Sequence, residues 1–186
     1  MAAFTVIVRT LSWPTDHPQL ERLDLAFHTD VVYDVQSRPR GFALVERPIT
    51  PAIRKTYHVE WNELLTDSVT VVAEHENVIV GVAALRHVAW NNRAVVTHLY
   101  VDGTARGHGV GTQLVQELRK HAAGLHARCL WVETQNVNVP AIRFYEKNGF
   151  VFSGLDVSLY DPRTTGAEIA LYFTLPIPLD VGDHKH

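Results

Sequence analysis

Asp102-Gly-Thr-Ala-Arg-Gly-His-Gly-Val-Gly111 is the stretch that decides the fold. It follows a β-rich run, Ala94 to Val101. It opens an amphipathic run from Val110 to Ala123, in which Leu114, Val115, Leu118 and Ala122 share one helical face. A strand, a glycine-rich loop and a helix therefore stand in succession. The start of a helix presents unpaired backbone N–H groups and the positive end of its dipole, which suits a doubly charged phosphate group. Gly107, Gly109 and Gly111 remove side chains at alternate positions, so those amides can be approached, and Arg106 can add a charge-assisted contact. No lysine completes a Gly-x4-Gly-Lys-Ser/Thr loop, and Gly109-Val-Gly111 runs on to Leu114 rather than to the third glycine of a dinucleotide fingerprint. A glycine-rich turn without a ligand is the alternative that the loop alone leaves open.

Upstream, Val69 to Glu74, a turn at His75-Glu-Asn77, Val78 to Val88, a turn at Trp90-Asn-Asn-Arg93 and Ala94 to Val101 predict an antiparallel meander. Downstream, Gly124 stops the helix, Cys129 to Thr134 is a strand, and Asn138 caps a helix with Pro140 in its first turn and Gly149 at its end. Phe150 to Ser158 and Glu168 to Pro176 are two further strands. Toward the N-terminus Phe4 to Arg9 is β-rich, and Asp16 can cap a helix through Leu20, Leu23, Leu25 and Phe27. Thr29 to Arg40 has no clear period, Phe42 to Val45 reads as a strand, Pro48-Ile-Thr-Pro51 as a turn, and Ala52 to Thr66 as either strand or helix. The expectation is one α+β domain over residues 1–186, with its core at 68–176 and a frayed tail at 180–186.

The 186 residues are 46 % hydrophobic and 20 % charged, with a formal net charge of −3, which fits an ordinary globular chain. No basic run suggests a nucleic-acid surface, and no apolar run approaches the ~20 residues of a membrane span. One cysteine, Cys129, rules out a disulfide within the chain and reads as a buried strand thiol; with no secretion signal, a cytoplasmic protein is expected. The 11 histidines are scattered, His121 and His126 being badly spaced for one metal, so no metal is expected. A homodimer is compatible with the composition.

A second motif follows the first. Leu130-Trp-Val-Glu133 leads to Asn136-Val-Asn138-Val-Pro-Ala141, then Phe144-Tyr145 and Asn148-Gly149-Phe150. Together the two resemble the GCN5-related N-acetyltransferase (GNAT) superfamily, whose Arg/Gln-x-x-Gly-x-Gly/Ala loop is matched by Arg106, Gly109 and Gly111. A narrower likeness, to streptothricin acetyltransferases, takes in Asp24 to Val35, Gly41-Phe-Ala-Leu44, Ala89-Trp-Asn-Asn-Arg93, Leu130 to Asn136, Gly154-Leu-Asp156 and Tyr160-Asp161. Those enzymes acetylate an amine of the β-lysine part of an antibiotic.

The resemblance implies a GNAT fold: a mostly antiparallel, twisted sheet of six to seven strands flanked by helices. In it Ala94–Val101 and Cys129–Thr134 run parallel and splay apart around the cofactor. It implies acetyl-CoA as donor and direct attack by a primary amine of a small molecule, of the streptothricin type. A protein N-terminus or lysine as acceptor, and an acyl-CoA-binding module without catalysis, are the alternatives. Leu99, Tyr100 and Val101 would bind the pantetheine arm through their backbone. Arg106, Gly107, His108, Gly109, Val110, Gly111 and Thr112 would hold the diphosphate, with Asn138 and Ala141 also touching the cofactor. Tyr145 would protonate the departing sulfur. Where relatives often have a strand carboxylate, this chain has Val96-Thr-His-Leu-Tyr100, so His98 and Glu133 are both candidates for the base. A cationic acceptor needs acidic or aromatic walls, for which Asp30, Tyr33, Asp34, Trp90 and Asp156 are candidates.

Overall fold

A computed structural model of the chain describes residues 4–166 and 168–178, so the tail expected at 180–186 lies outside the described residues. The chain forms two compact units. One holds the residues up to Leu25, Val59–Trp131 and those from Leu175; the other holds Ala26–His58 and Val132–Thr174.

In the first unit, β1 (Ile7–Thr10) pairs with β4 (Val69–His75), β4 with β5 (Val78–Val88) and β5 with β6 (Arg93–Val101), all antiparallel. The turn between β4 and β5 places Glu76 and Asn77 at φ +49° and +65°, the left-handed pair that suits a tight hairpin. Ile79 to Leu85 are buried without a break. Successive strand residues point to opposite faces, so β5 is covered on both. One cover is α2 (Val110–Gly124), which buries the predicted stripe of Leu114, Val115, Leu118 and Ala122 and, beyond it, Val110. Each fully buried leucine there contributes about 1.5–3 kcal/mol. β6 then runs parallel to the start of β7 (Cys129–Gln135), in register at Arg93↔Cys129, Ala94↔Leu130 and Val95↔Trp131. Cys129 is a buried free thiol.

The second unit contains a long hairpin, β2 (Phe27–Arg38) with β3 (Gly41–Lys55), the remainder of β7, α3 (Val139–Lys147), β8 (Val151–Asp156) and β9 (Ala170–Pro176). The strand order β1-β4-β5-β6-β7-β9-β8 makes a seven-stranded mixed sheet, with β8 and β9 antiparallel. This is the mixed sheet with a parallel pair, β6 and β7, that the family resemblance implied.

The N-terminal third departs from expectation. The helix expected to run through Leu23, Leu25 and Phe27 is a single turn, α1 (His17–Leu20). Asp16 does not cap it. Its carboxylate takes the Arg9 guanidinium at 2.7 and 3.0 Å and the Ser12 N–H at 2.7 Å, and Phe27 already belongs to β2. The stretch from Thr29 lacks a period because the register of β2 shifts between Thr29 and Val31, which breaks its alternation. Pro48-Ile-Thr-Pro51 is not a turn but lies inside β3, with Pro48 opposite Val31. β3 pairs with β2 alone in a two-stranded ribbon, where a missing N–H on the outer edge costs no ladder bond. Ala52 to Thr66 divides into the end of β3 and a 3-10 turn at Trp61–Thr66. A last helical turn, α4 (Pro162–Thr165), precedes β9. Among the described residues, no helix is long and apolar enough to cross a membrane.

Candidate functional site

The glycine-rich loop leaves β6 at Asp102, whose carboxylate fixes its first turn. That group accepts from the Thr104 N–H at 2.9 Å, the Thr104 hydroxyl at 2.6 Å and the Asp24 N–H at 2.8 Å. These bonds hold the Asp102 carboxyl below its usual range against the opposing effect of its partial burial. Gly103 N–H reaches the Asp24 carbonyl at 3.1 Å. The chain around Asp24 is thus a brace for the loop, a role with no visible signal in the sequence.

Gly107 and Gly109 both have φ +82°, a conformation that other residues adopt only with strain. A Cβ at either would meet nothing within 4 Å. The cradle is therefore open, as a diphosphate group requires. Gly109 sits at the N-cap of α2 and supplies no side-chain cap. The first-turn amides, those of Val110, Gly111 and Thr112, have no intrahelical acceptor by construction. The loop geometry thus fits an anion.

Arg106 and His108 carry interactions of their own. Arg106 Nε donates to the Val101 carbonyl at 3.0 Å and an Nη to the Asp24 carbonyl at 3.3 Å, tying the loop to the end of β6. The His108 ring stacks on Phe4 at 4.4 Å, and Phe4 stacks in turn on His75 at 4.0 Å. Leu99, Tyr100 and Val101 lie on β6 opposite Ala83, Val82 and Gly81.

His98 is buried on β6, 3.4 Å from Asp67 and 3.9 Å from Glu63. The Nδ1–Asp67 approach lacks the geometry of a directed hydrogen bond. Asp67 itself accepts from Thr97 Oγ1 at 2.8 Å and pairs with Arg86 at 3.2 Å. Burial lowers the His98 imidazole below its ordinary value, and the two carboxylates oppose that only in part. Trp90, on the turn before β6, is 87 % exposed.

In the second unit, Glu133 and Gln135 project to the same side of β7, two residues apart. Glu133 accepts a hydrogen bond from the Tyr160 hydroxyl. Burial pushes its carboxyl above the usual range, while Tyr160 and the Lys55 charge act to lower it. Lys55 is paired with Glu168 at 2.5 Å. Tyr57 O–H donates to Gln135 Oε1 at 2.5 Å and accepts from Asn138 Nδ2 at 2.8 Å. Asn138 also accepts the Ala141 N–H at 3.2 Å, which is the predicted cap of α3. Tyr145, on α3, is buried, with its ring against Phe144, Phe150 and Phe173 at 5.4–6.0 Å.

Tyr57, Gln135, Tyr160, Lys55 and Glu168 were not anticipated. The i, i+2 spacing of Glu133 and Gln135 and the place of Tyr160 in the narrower likeness were visible clues; that the tyrosines meet there was not, since they come from distant segments. Of the acceptor-wall candidates, Asp34 is ion-paired with Arg47 at 2.6 Å, and that contact lowers its carboxyl. Asp156 accepts from the Ser158 hydroxyl and N–H, both at 2.7 Å, which lowers it likewise. Tyr33 is fixed by its backbone to Asn136, at 3.1 and 2.7 Å, and Asp30 is exposed at the irregularity in β2. None of these four reaches the Glu133 carboxylate through the bonds described.

The chain resembles several known proteins. It is 35 % identical to a streptothricin acetyltransferase of Streptomyces lavendulae over 176 residues, 89 % of this chain and 92 % of that one. The crystal structure of nourseothricin acetyltransferase superposes with a TM-score of 0.85 at 37 % identity, covering 93 % of this chain and 99 % of the other. A Bacillus anthracis protein described as a streptothricin acetyltransferase, solved in complex with acetyl coenzyme A, superposes with a TM-score of 0.80 at 28 % identity, covering 92 % and 99 %. Residues 31–150, which span the glycine-rich loop, β7 and α3, match the model of the Acetyltransferase (GNAT) family. This chain is an acetyltransferase of the GNAT family.

Proposed function

We propose that the chain transfers acetyl from acetyl-CoA to a primary amine of a small molecule, and that the acceptor is a streptothricin-type antibiotic. The observation that carries this reading is the open loop at Gly107 and Gly109, set at the N-cap of α2 in a chain of this family. The amides from Val110 to Thr112 would grip the diphosphate of the donor, with Leu99 to Val101 along its arm. Arg106 would serve by holding the loop to β6 as well as by its charge. Bound there, acetyl-CoA supplies a thioester carbonyl as electrophile.

The acceptor's ammonium, of pKa about 10, must lose a proton before its nitrogen can attack. Glu133 is the base we favour over His98. A buried carboxyl raised toward neutrality is a stronger base than an ordinary one. Burial weakens His98 as a base, and its two neighbouring carboxylates offset that only in part. Glu133 takes the ammonium's first proton and passes it to solvent, which frees the nitrogen to attack. As the new N–C bond forms and the C–S bond breaks, the nitrogen gives its second proton to Glu133, while the departing sulfur takes the Tyr145 phenolic proton, which Tyr145 regains from solvent. The small-molecule acceptor is supported by the similarity to streptothricin acetyltransferases over most of both chains.

Free-thiol release from acetyl-CoA, measured with a streptothricin, other small amines and a set of peptides, tests the reading. Turnover of the streptothricin above all others is expected. Turnover of peptides alone would replace the antibiotic by a protein acceptor, and tight coenzyme A binding with no thiol release for any amine would leave a binding module.

A further inference from the structure

The polar groups around Glu133 are not a loose cluster. The Ala141 N–H at the start of α3 donates to Asn138 Oδ1, and Asn138 Nδ2 donates to the Tyr57 oxygen. The Tyr57 hydroxyl donates to Gln135 Oε1. Gln135 acts on Tyr160 as a donor to its oxygen does, favouring negative charge there, and the Tyr160 hydroxyl donates to Glu133. Every donor in the series points the same way, from the positive end of α3 to the Glu133 carboxylate.

We propose that this head-to-tail chain keeps Glu133 ionised and aimed, with Tyr160 and Tyr57 as positioning residues for proton removal from the acceptor amine. Aligned hydrogen bonds polarise one another, so each donor strengthens the next by a fraction, up to the one bonded to the carboxylate. Burial alone would push Glu133 too far toward its neutral form; the chain offsets that without a full positive charge in contact with it. Lys55 acts on Glu133 at longer range and is itself paired with Glu168, and Tyr172 of β9 feels the Glu133 charge, as it feels that of Asp156. The chain also explains why two tyrosines from distant segments converge on one strand: each relays a bond that an aliphatic residue would break.

This inference rests on Glu133 being the base, and the test separates the two. The pH dependence of kcat/KM is measured with the best amine of the panel for the natural protein, Glu133→Gln, Tyr160→Phe and Tyr57→Phe, with circular dichroism confirming the fold of each. Glu133→Gln should lower the rate by about 100-fold or more. Tyr160→Phe should move the acid limb up by about one pH unit, because the carboxylate loses its direct donor. Tyr57→Phe should move it the same way by less. A purely structural role for the tyrosines would change the rate or the melting temperature and leave the limb in place. If Glu133→Gln is slow but the limb stays put in both tyrosine variants, the relay is wrong and the base stands. If Glu133→Gln keeps its rate, base and relay fall together. Should Tyr160→Phe not fold, Tyr57→Phe decides alone: an unmoved limb overturns the relay.

Discussion

Leu114 of α2 packs against Gly81 of β5 so closely that a Cβ on the glycine would lie 3.1 Å from Leu114 Cδ1. The same Cβ would lie 3.3 Å from Val110 Cγ1 and 3.0 Å from the Tyr100 carbonyl oxygen. Gly81 is thus what lets the helix that starts at the loop rest on the sheet. Gly81→Ala should cost about 1–3 kcal/mol in urea unfolding, because a backbone oxygen cannot swing aside as a side chain can. It should also weaken coenzyme A binding, since Val110 opens α2. Unaltered stability would mean that the packing there is looser than the structure has it.

The loop predicts a separation of effects at two positions. Gly109→Val places a β-branched side chain at φ +82° and over the amides, so coenzyme A affinity in titration calorimetry should fall by about 10-fold or more. Arg106→Ala loses its bonds to the Val101 and Asp24 carbonyls along with its charge. Its affinity should also drop, but much of that loss should persist at high salt, because the loop is loosened as well as less charged. Undiminished affinity in both folded variants would remove the loop from the donor site.

Tyr145→Phe retains the ring that packs on Phe150 and Phe173 and deletes only the hydroxyl. The melting temperature should change little, while kcat falls about 10–100-fold with little change in the KM for acetyl-CoA. A rate equal to that of the natural protein would exclude the phenol from proton transfer.

His98 makes stability depend on pH. Its folded-state value lies below the ordinary imidazole value of about 6.5, so between the two the unfolded chain binds more protons. Its contribution is therefore complete above about pH 6.5 and is lost as the pH falls toward the folded value. Urea midpoints compared at about pH 7.5 and about pH 5.5 should differ less in His98→Leu than in the natural protein. An equal difference in both would assign the dependence to other groups.

The sequence made the meander from Val69 to Val101, the loop, α2, β7 and α3 legible, because each carries an apolar period together with its own turn or cap residue. Asn138 was read as a cap and is one. The N-terminal third misled for the opposite reason. Asp16 looked like a cap, yet its charge is taken by Arg9; the two prolines of β3 looked like a turn, yet they lie on an open edge.

By itself, then, the sequence determined where the unobstructed amides of a helix start would stand, since glycine spacing and the start of a helix are local properties of the chain. Only the tertiary structure decided what surrounds Glu133. Tyr57, Gln135 and Tyr160 are separated by up to 103 positions and meet through pairing and packing that no local period encodes. Burial sets the proton affinities of Glu133 and His98, and burial is a property of the assembled fold, not of either residue's neighbours along the chain.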